Sequence, residues 1–232
     1  LKHIIFEGNF NQPIDLPNSV TEATFAGYFN QPLKLPDGLT YLKLCGMFNQ
    51  PLNLPNSLRV LTLGNEFNLP LNLPNSLTEL HLGATFNQPI ELPNSLKKLC
   101  FGAEFNQPVV LNQGLTFVSF GESFNQPVTL PESVERVRFG SKFNRPIIFT
   151  SDLATIVINS QYPYPIPNAQ NVHIFFYPRC TLHSTHVTHY TQYTHYTQYT
   201  HYTQYTHYTH YTQYTVYKIE IIINTTTLTQ QQ

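Results

Sequence analysis

Charge is scarce in this sequence. Only 11% of its 232 residues are Asp, Glu, Lys or Arg, and 12 cations against 13 carboxylates leave a formal net charge of -1. A chain this close to neutral sets up no field strong enough to hold nucleic acid or an anionic membrane, so neither is expected as a partner. Cysteine is scarcer still: Cys45, Cys100 and Cys180 are too few and too scattered for a disulfide framework or a zinc knuckle. The chain therefore reads as intracellular, with no metal and no other cofactor expected. Long apolar runs are missing too, and the opening LKHIIFEGNF lacks the charged-then-apolar layout of a secretory signal. Met47 is the single methionine, and the sequence is expected to be truncated or mis-started ahead of Leu1.

Repetition is what the sequence has in abundance. FNQP begins at Phe10 and returns at Phe29, Phe48, Phe86, Phe105 and Phe124, with FNLP at Phe67 and FNRP at Phe143, always 19 residues apart. A fixed internal period of this length is the mark of a stacked-repeat architecture. In the unit FNQPLNLPNSLRVLTLGNE, counted from zero at Phe48, apolar residues fall at offsets 0, 4, 6, 10, 13 and 15. Helical spacing does not fit this pattern. Two short alternating pieces do, LNL at offsets 4 to 6 and LTL at 13 to 15, and both are expected to be extended. Between them LPNS supplies a turn, Pro by presetting its backbone dihedral and Asn and Ser by bonding back to nearby amides. A glycine at offset 16 or 17 marks the second reversal. Burying six apolar side chains returns less than the cost of ordering 19 backbone positions, so one unit cannot stand alone and the coils must stack.

The expected architecture is thus mainly β, a solenoid of 19-residue coils with a parallel sheet and a low-complexity tail. Residues 1–9 form the second half of a truncated coil, 10–161 eight repeats, and 162–179 a degenerate capping coil with a shortened turn. Residues 180–217 are a His/Gln-Tyr-Thr tract, and 218–232 a short strand and a loose tail. Phe at offset 0 is expected to build an interior column of rings. The asparagines at offset 1, Asn11, Asn30, Asn49, Asn68, Asn87, Asn106, Asn125 and Asn144, are expected as a structural ladder whose inward amides satisfy turn groups and their stacked copies. The tract HYTQYTHYTQYT, without Asp, Glu, Lys or Arg from Cys180 to Tyr217, reads as simple-sequence expansion rather than a metal site. Its extended, uncharged composition favours self-association, which histidine protonation should oppose.

The stretch FNQPLNLPNSLRVLTLG closely resembles the FNIP repeat family of social amoebae and of giant viruses that infect amoebae. The likeness covers Leu1 to about Ile166, although family members often use a 22-residue unit where this chain uses 19. LPNSLRVLTL is also similar to the LPxxLxxLxL core of leucine-rich repeats, which implies a curved solenoid with the parallel sheet on its inner side. Several relatives carry an amino-terminal F-box that docks on a cullin ubiquitin ligase while the repeats hold the substrate. That role would come to this chain only if an F-box lies upstream of Leu1. The expected location is the cytoplasm, that of the host if the protein is viral.

With offsets 10, 13 and 15 inward, offsets 11, 12 and 14 include the outward positions of the sheet strand, and these vary from coil to coil. The candidate protein-binding face is drawn from them: Tyr41, Lys43, Arg59, Glu79, His81, Lys97, Lys98, Phe117, Glu135, Arg136 and Arg138. Tyr41, Phe117 and the arginines are its energetic anchors. Catalysis finds little support. The serines at offset 9 (Ser19, Ser57, Ser76, Ser95, Ser133) read as turn residues, and His81 has no periodic carboxylate or cysteine partner completing a triad. The leading function is a non-catalytic scaffold for protein recognition. The alternatives are the substrate-receptor part of a ubiquitin ligase and a structural or decayed paralogue without a ligand.

Overall fold

The computed structural model describes residues 2–149, 155–166 and 172–177, so the tyrosine tract, Cys180 and the C-terminal strand expected from YKIEIII lie outside the described residues. Ten strands make one parallel sheet: β1 (His3–Phe6), β2 (Glu22–Phe25), β3 (Tyr41–Leu44), β4 (Val60–Leu63), β5 (Glu79–His81), β6 (Lys98–Cys100), β7 (Phe117–Ser119), β9 (Arg136–Arg138), β11 (Thr155–Asn159) and β12 (His173–Tyr177). Strands β8 (Thr129–Leu130) and β10 (Ile148–Phe149) pair separately. The main register advances by 19 residues per coil, as in Leu42 beside Leu61 and Leu80 beside Leu99. The step from β11 to β12 is one residue shorter, Thr155 lying beside His173.

Each letter of the repeat has a physical task. Leu42, Leu61, Leu80, Leu99 and Val118, one per coil at offset 13, are fully buried beneath the sheet. In the LPNS turn the offset-10 amide donates to the proline carbonyl three residues back, as Leu58 does to Pro55 at 3.1 Å. The offset-9 serine hydroxyls of Ser57, Ser76, Ser95 and Ser133 donate at 2.6 to 2.7 Å to a carbonyl of the preceding coil. They hold coils together, beyond shaping their own turn.

The phenylalanines of offset 0 form the expected column, with ring centroids 5.9 to 6.4 Å apart from Phe10 to Phe143. At offset 15, nearer the sheet, equivalent rings are closer: Phe6 to Phe25 is 4.9 Å and Phe120 to Phe139 is 5.4 Å. Adjacent strands lie about 4.8 Å apart. The coils therefore fan out away from the sheet, which lines the inner side of the curve. The same divergence bears on the LNL piece of the outer wall. On that wall the ladder among the described residues is limited to β8 with β10 and a single bridge from Asp15 to Lys34, because coils held further apart and flanked by prolines cannot keep amide and carbonyl in range.

The asparagine row differs from expectation in direction. Its members are half-buried or exposed rather than inward. Each side-chain oxygen accepts the backbone N–H of the next asparagine, at 2.9 to 3.1 Å from Asn11 through Asn144. Glutamine at offset 2 adds a second donor to the same oxygen, as Gln88 does to Asn68 and Gln107 to Asn87. This gives FNQP its N and Q. At the ninth position the sequence is Tyr162-Pro163, and proline has no N–H to offer Asn144. Tyr162 continues the ring column 6.1 Å from Phe143, its hydroxyl donating to the Arg145 carbonyl at 2.8 Å and accepting the Ile147 amide at 3.1 Å.

The glycine corner comes in two forms. Gly46, at offset 17, has φ of 63°, a left-handed conformation that other residues resist. From Gly64 onward the glycine sits one residue earlier, and at Gly83 a Cβ would overlap the Gly64 carbonyl, so close approach is the reason there. From the coil after that of Gly64, strands end one residue sooner: β5, β6, β7 and β9 stop at offset 14 where β1 to β4 reach offset 15.

Candidate protein-binding face

The sheet carries three solvent-facing rows. Offset 12 runs Glu22, Tyr41, Val60, Glu79, Lys98, Phe117 and Arg136, each beside the next. Offset 14 runs Thr24, Lys43, Thr62, His81, Cys100, Ser119 and Arg138 in the same way. Offset 11 lies at the strand entrance, with Arg59, Lys97 and Glu135 exposed. The threonines in that row are committed: the hydroxyls of Thr21, Thr40, Thr78 and Thr116 donate to carbonyls of the preceding coil at 3.0 to 3.2 Å. They hold the edge of the face.

All eleven candidate residues fall on these rows. Arg59, Lys97, Lys98, Glu135, Arg136 and Arg138 are exposed, while Tyr41, Lys43, Glu79, His81 and Phe117 are half-buried. The alternation is that of short strands with one face on the core. Lys98 Nζ lies 2.8 Å from Glu79 Oε1 across two strands. The Arg136 guanidinium sits 5.7 Å from the centre of the Phe117 ring, a cation–π contact between adjacent strands. Lys97 Nζ reaches the Gly114 carbonyl at 3.1 Å.

One neighbourhood was missed in the sequence. His81 does have a carboxylate and a cysteine beside it: Glu79 Oε2 is 4.0 Å from His81 Nε2, and the register sets His81 next to Cys100. The signal was available, because His81 and Cys100 share an offset in successive coils, as do Glu79 and Lys98. Chemically the group is poorly suited to nucleophilic attack. Burial pushes the Cys100 thiol above its ordinary value of 9.0, Arg138 opposes this, and Glu79 adds to it. A catalytic cysteine needs the opposite shift. Among the described residues no group of three or more His, Cys, Asp or Glu side chains is placed to hold a metal ion, and no helix is long and apolar enough to cross a membrane.

A β-solenoid with an LPxxLxxLxL strand, a ring column and a variable sheet face defines an LRR-like repeat protein. The family model described as FNIP Repeat matches four overlapping windows, residues 29–66, 48–85, 67–104 and 86–123. Residues 29–123 of the chain are thus matched as FNIP repeats. Among solved structures, the chain is similar to the crystal structure of the giant-virus protein CroV588, described as a novel circular LRR protein structure. The two are 33% identical with a TM-score of 0.62, over 77% of this chain and 34% of the other. The chain thus spans about a third of the length of that relative, its 34% coverage. No curated protein matches it.

Proposed function

We propose that the solenoid is a non-catalytic scaffold that recognises a protein partner through its outward sheet rows. One contrast carries this reading. Interior and corner positions repeat with little change and are bonded into the stack, whereas offsets 12 and 14 change chemistry at nearly every coil and turn polar ends to solvent. A surface kept only for solubility has no need of half-buried Tyr41 and Phe117 among charges, and such aromatic and arginine positions are the usual anchors of protein interfaces. The curvature that sets the sheet on the inner side presents these rows together, and the likeness to an LRR protein agrees with a binding role.

The test is a peptide library displayed on phage and panned against the full chain. A second panning uses a variant with Tyr41→Ala, Arg59→Ala, Lys97→Ala and Arg136→Ala, and a control carries substitutions at the outer-wall positions Asn53, Asn72 and Glu91. Peptides that bind the parent and the control but not the face variant support the reading. Equal recovery on all three proteins, or none on the parent, overturns it.

A further inference from the structure

The face does not share the near-neutrality of the chain. Its three rows hold Lys2, Lys43, Arg59, Lys97, Lys98, Arg136 and Arg138 against Glu22, Glu79 and Glu135, seven cations to three carboxylates on a protein whose total charge is -1. The remaining residues are correspondingly acidic. Within the face the imbalance is concentrated over β6, β7 and β9. There Lys97, Lys98, Arg136 and Arg138 surround Phe117; Glu135 is the one acid on these three strands, and Glu79 on the adjacent β5 already pairs with Lys98 at 2.8 Å.

We infer that this part of the sheet face is a docking surface for a short acidic segment of a partner protein, an extended stretch carrying several Asp or Glu carboxylates. The inference rests on the protein-recognition reading above and gives it a chemistry. Arg136 and Arg138 are two residues apart on one strand, so their side chains leave the same side of the sheet about 7 Å apart. Lys98 stands two strands away from Arg136, about 10 Å. Cations spaced in this way do not converge on one point, as a lone phosphate would need. They match carboxylates on alternate residues of an extended chain, which recur at about the same 7 Å. Arg136 is already held over the Phe117 ring, so part of its side-chain freedom is lost before any partner arrives. Phe117 offers an apolar floor between the charges, and the planar guanidinium forks donate bidentately to carboxylates.

The experiment uses the full chain and fluorescence anisotropy. The probes are a labelled peptide of alternating Glu and Ser, its Gln and Lys counterparts, its phosphoserine counterpart, and a single-stranded oligonucleotide of equal charge. The Glu peptide should bind, weaken as salt is raised, and bind more tightly than every other probe. The double variant Arg136→Glu/Arg138→Glu should lose at least about tenfold in affinity for it and gain affinity for the Lys peptide. That gain shows that the variant is folded. Lys43→Glu, outside the cluster, should have a smaller effect. Binding of the Gln peptide as tightly as the Glu peptide overturns the inference, as does tighter binding of the phosphoserine peptide or the oligonucleotide, or a double variant that behaves like the parent. If panning yields neutral peptides whose binding depends on the face, protein recognition stands and the acidic partner falls. If panning yields nothing, both fall.

Discussion

The side-chain oxygen of Asn87 accepts the backbone N–H of Asn106 at 2.9 Å and the side-chain amide of Gln107 at 3.3 Å. Asn87→Ala therefore strands a half-buried amide at a place where the coils touch. The expected cost is about 1 to 3 kcal/mol, read as a lower urea midpoint. Asn87→Asp keeps the acceptor and should lose less. Asn49→Ala should also lose less, because FNLP puts Leu69 where other coils supply a glutamine, leaving the amide of Asn68 at 3.1 Å as the bond removed.

The 19-residue period was enough to place this bond between consecutive coils, but not to say which group of Asn made it. Composition and spacing mark a residue as repeated. Only the corner geometry turns its oxygen along the stack towards a backbone amide. The LTL strand was readable because alternation over a buried face has few other interpretations. LNL has the same alternation yet pairs little, because pairing depends on coil spacing, a property of the whole curved stack. His81 beside Cys100, and the cations gathered around Phe117, follow from offset arithmetic once register is assumed. Whether those side chains have a biological partner is not encoded in the period at all.

Removal of one ring should cost most in the middle of the column. Phe86 is fully buried between Phe67 at 6.4 Å and Phe105 at 6.3 Å, so Phe86→Ala is expected to cost about 3 to 5 kcal/mol. Phe10 is only half-buried, at the start of the column, and the same change there should cost clearly less. Because each coil contacts only its neighbours, the central variant should also unfold less cooperatively. Thermal melts followed by circular dichroism would show a broadened transition for Phe86→Ala and a nearly unchanged width for Phe10→Ala.

Glycine substitutions separate close approach from simple flexibility. A methyl group at Gly83 would overlap the Gly64 carbonyl, so Gly83→Ala must push two coils apart, at about 1 to 3 kcal/mol. At Gly38 the nearest atom to an added Cβ is the Asn18 carbonyl oxygen at 3.9 Å, and its φ is not left-handed. Gly38→Ala should be neutral or stabilise by about 0.4 to 1 kcal/mol through the unfolded chain. Urea midpoints that moved equally for both would contradict the stacked-corner account.

The thiol of Cys100 supplies a dependence on alkaline pH. Burial is the main cause of its raised value, with the opposing cation Arg138 next and Glu79 adding to the rise. A neutral thiol is thus favoured in the folded chain relative to the unfolded one. The stability it contributes is fully present below the ordinary value of 9.0 and is lost as pH rises through the higher folded value. Tyr162, raised by burial from 10.0, acts in the same direction at higher pH. Urea midpoints should therefore fall between about pH 8 and pH 10, and Cys100→Ser should flatten the earlier part of that fall while Tyr162→Phe leaves it in place. Alkylation by iodoacetamide offers an independent check, because the thiolate is the reacting form. In a Cys180→Ser background at pH 8, Cys100 should react more slowly in the folded protein than in urea by more than Cys45 does. Equal slowing of the two would mean that access alone, and not the raised thiol, governs the rate.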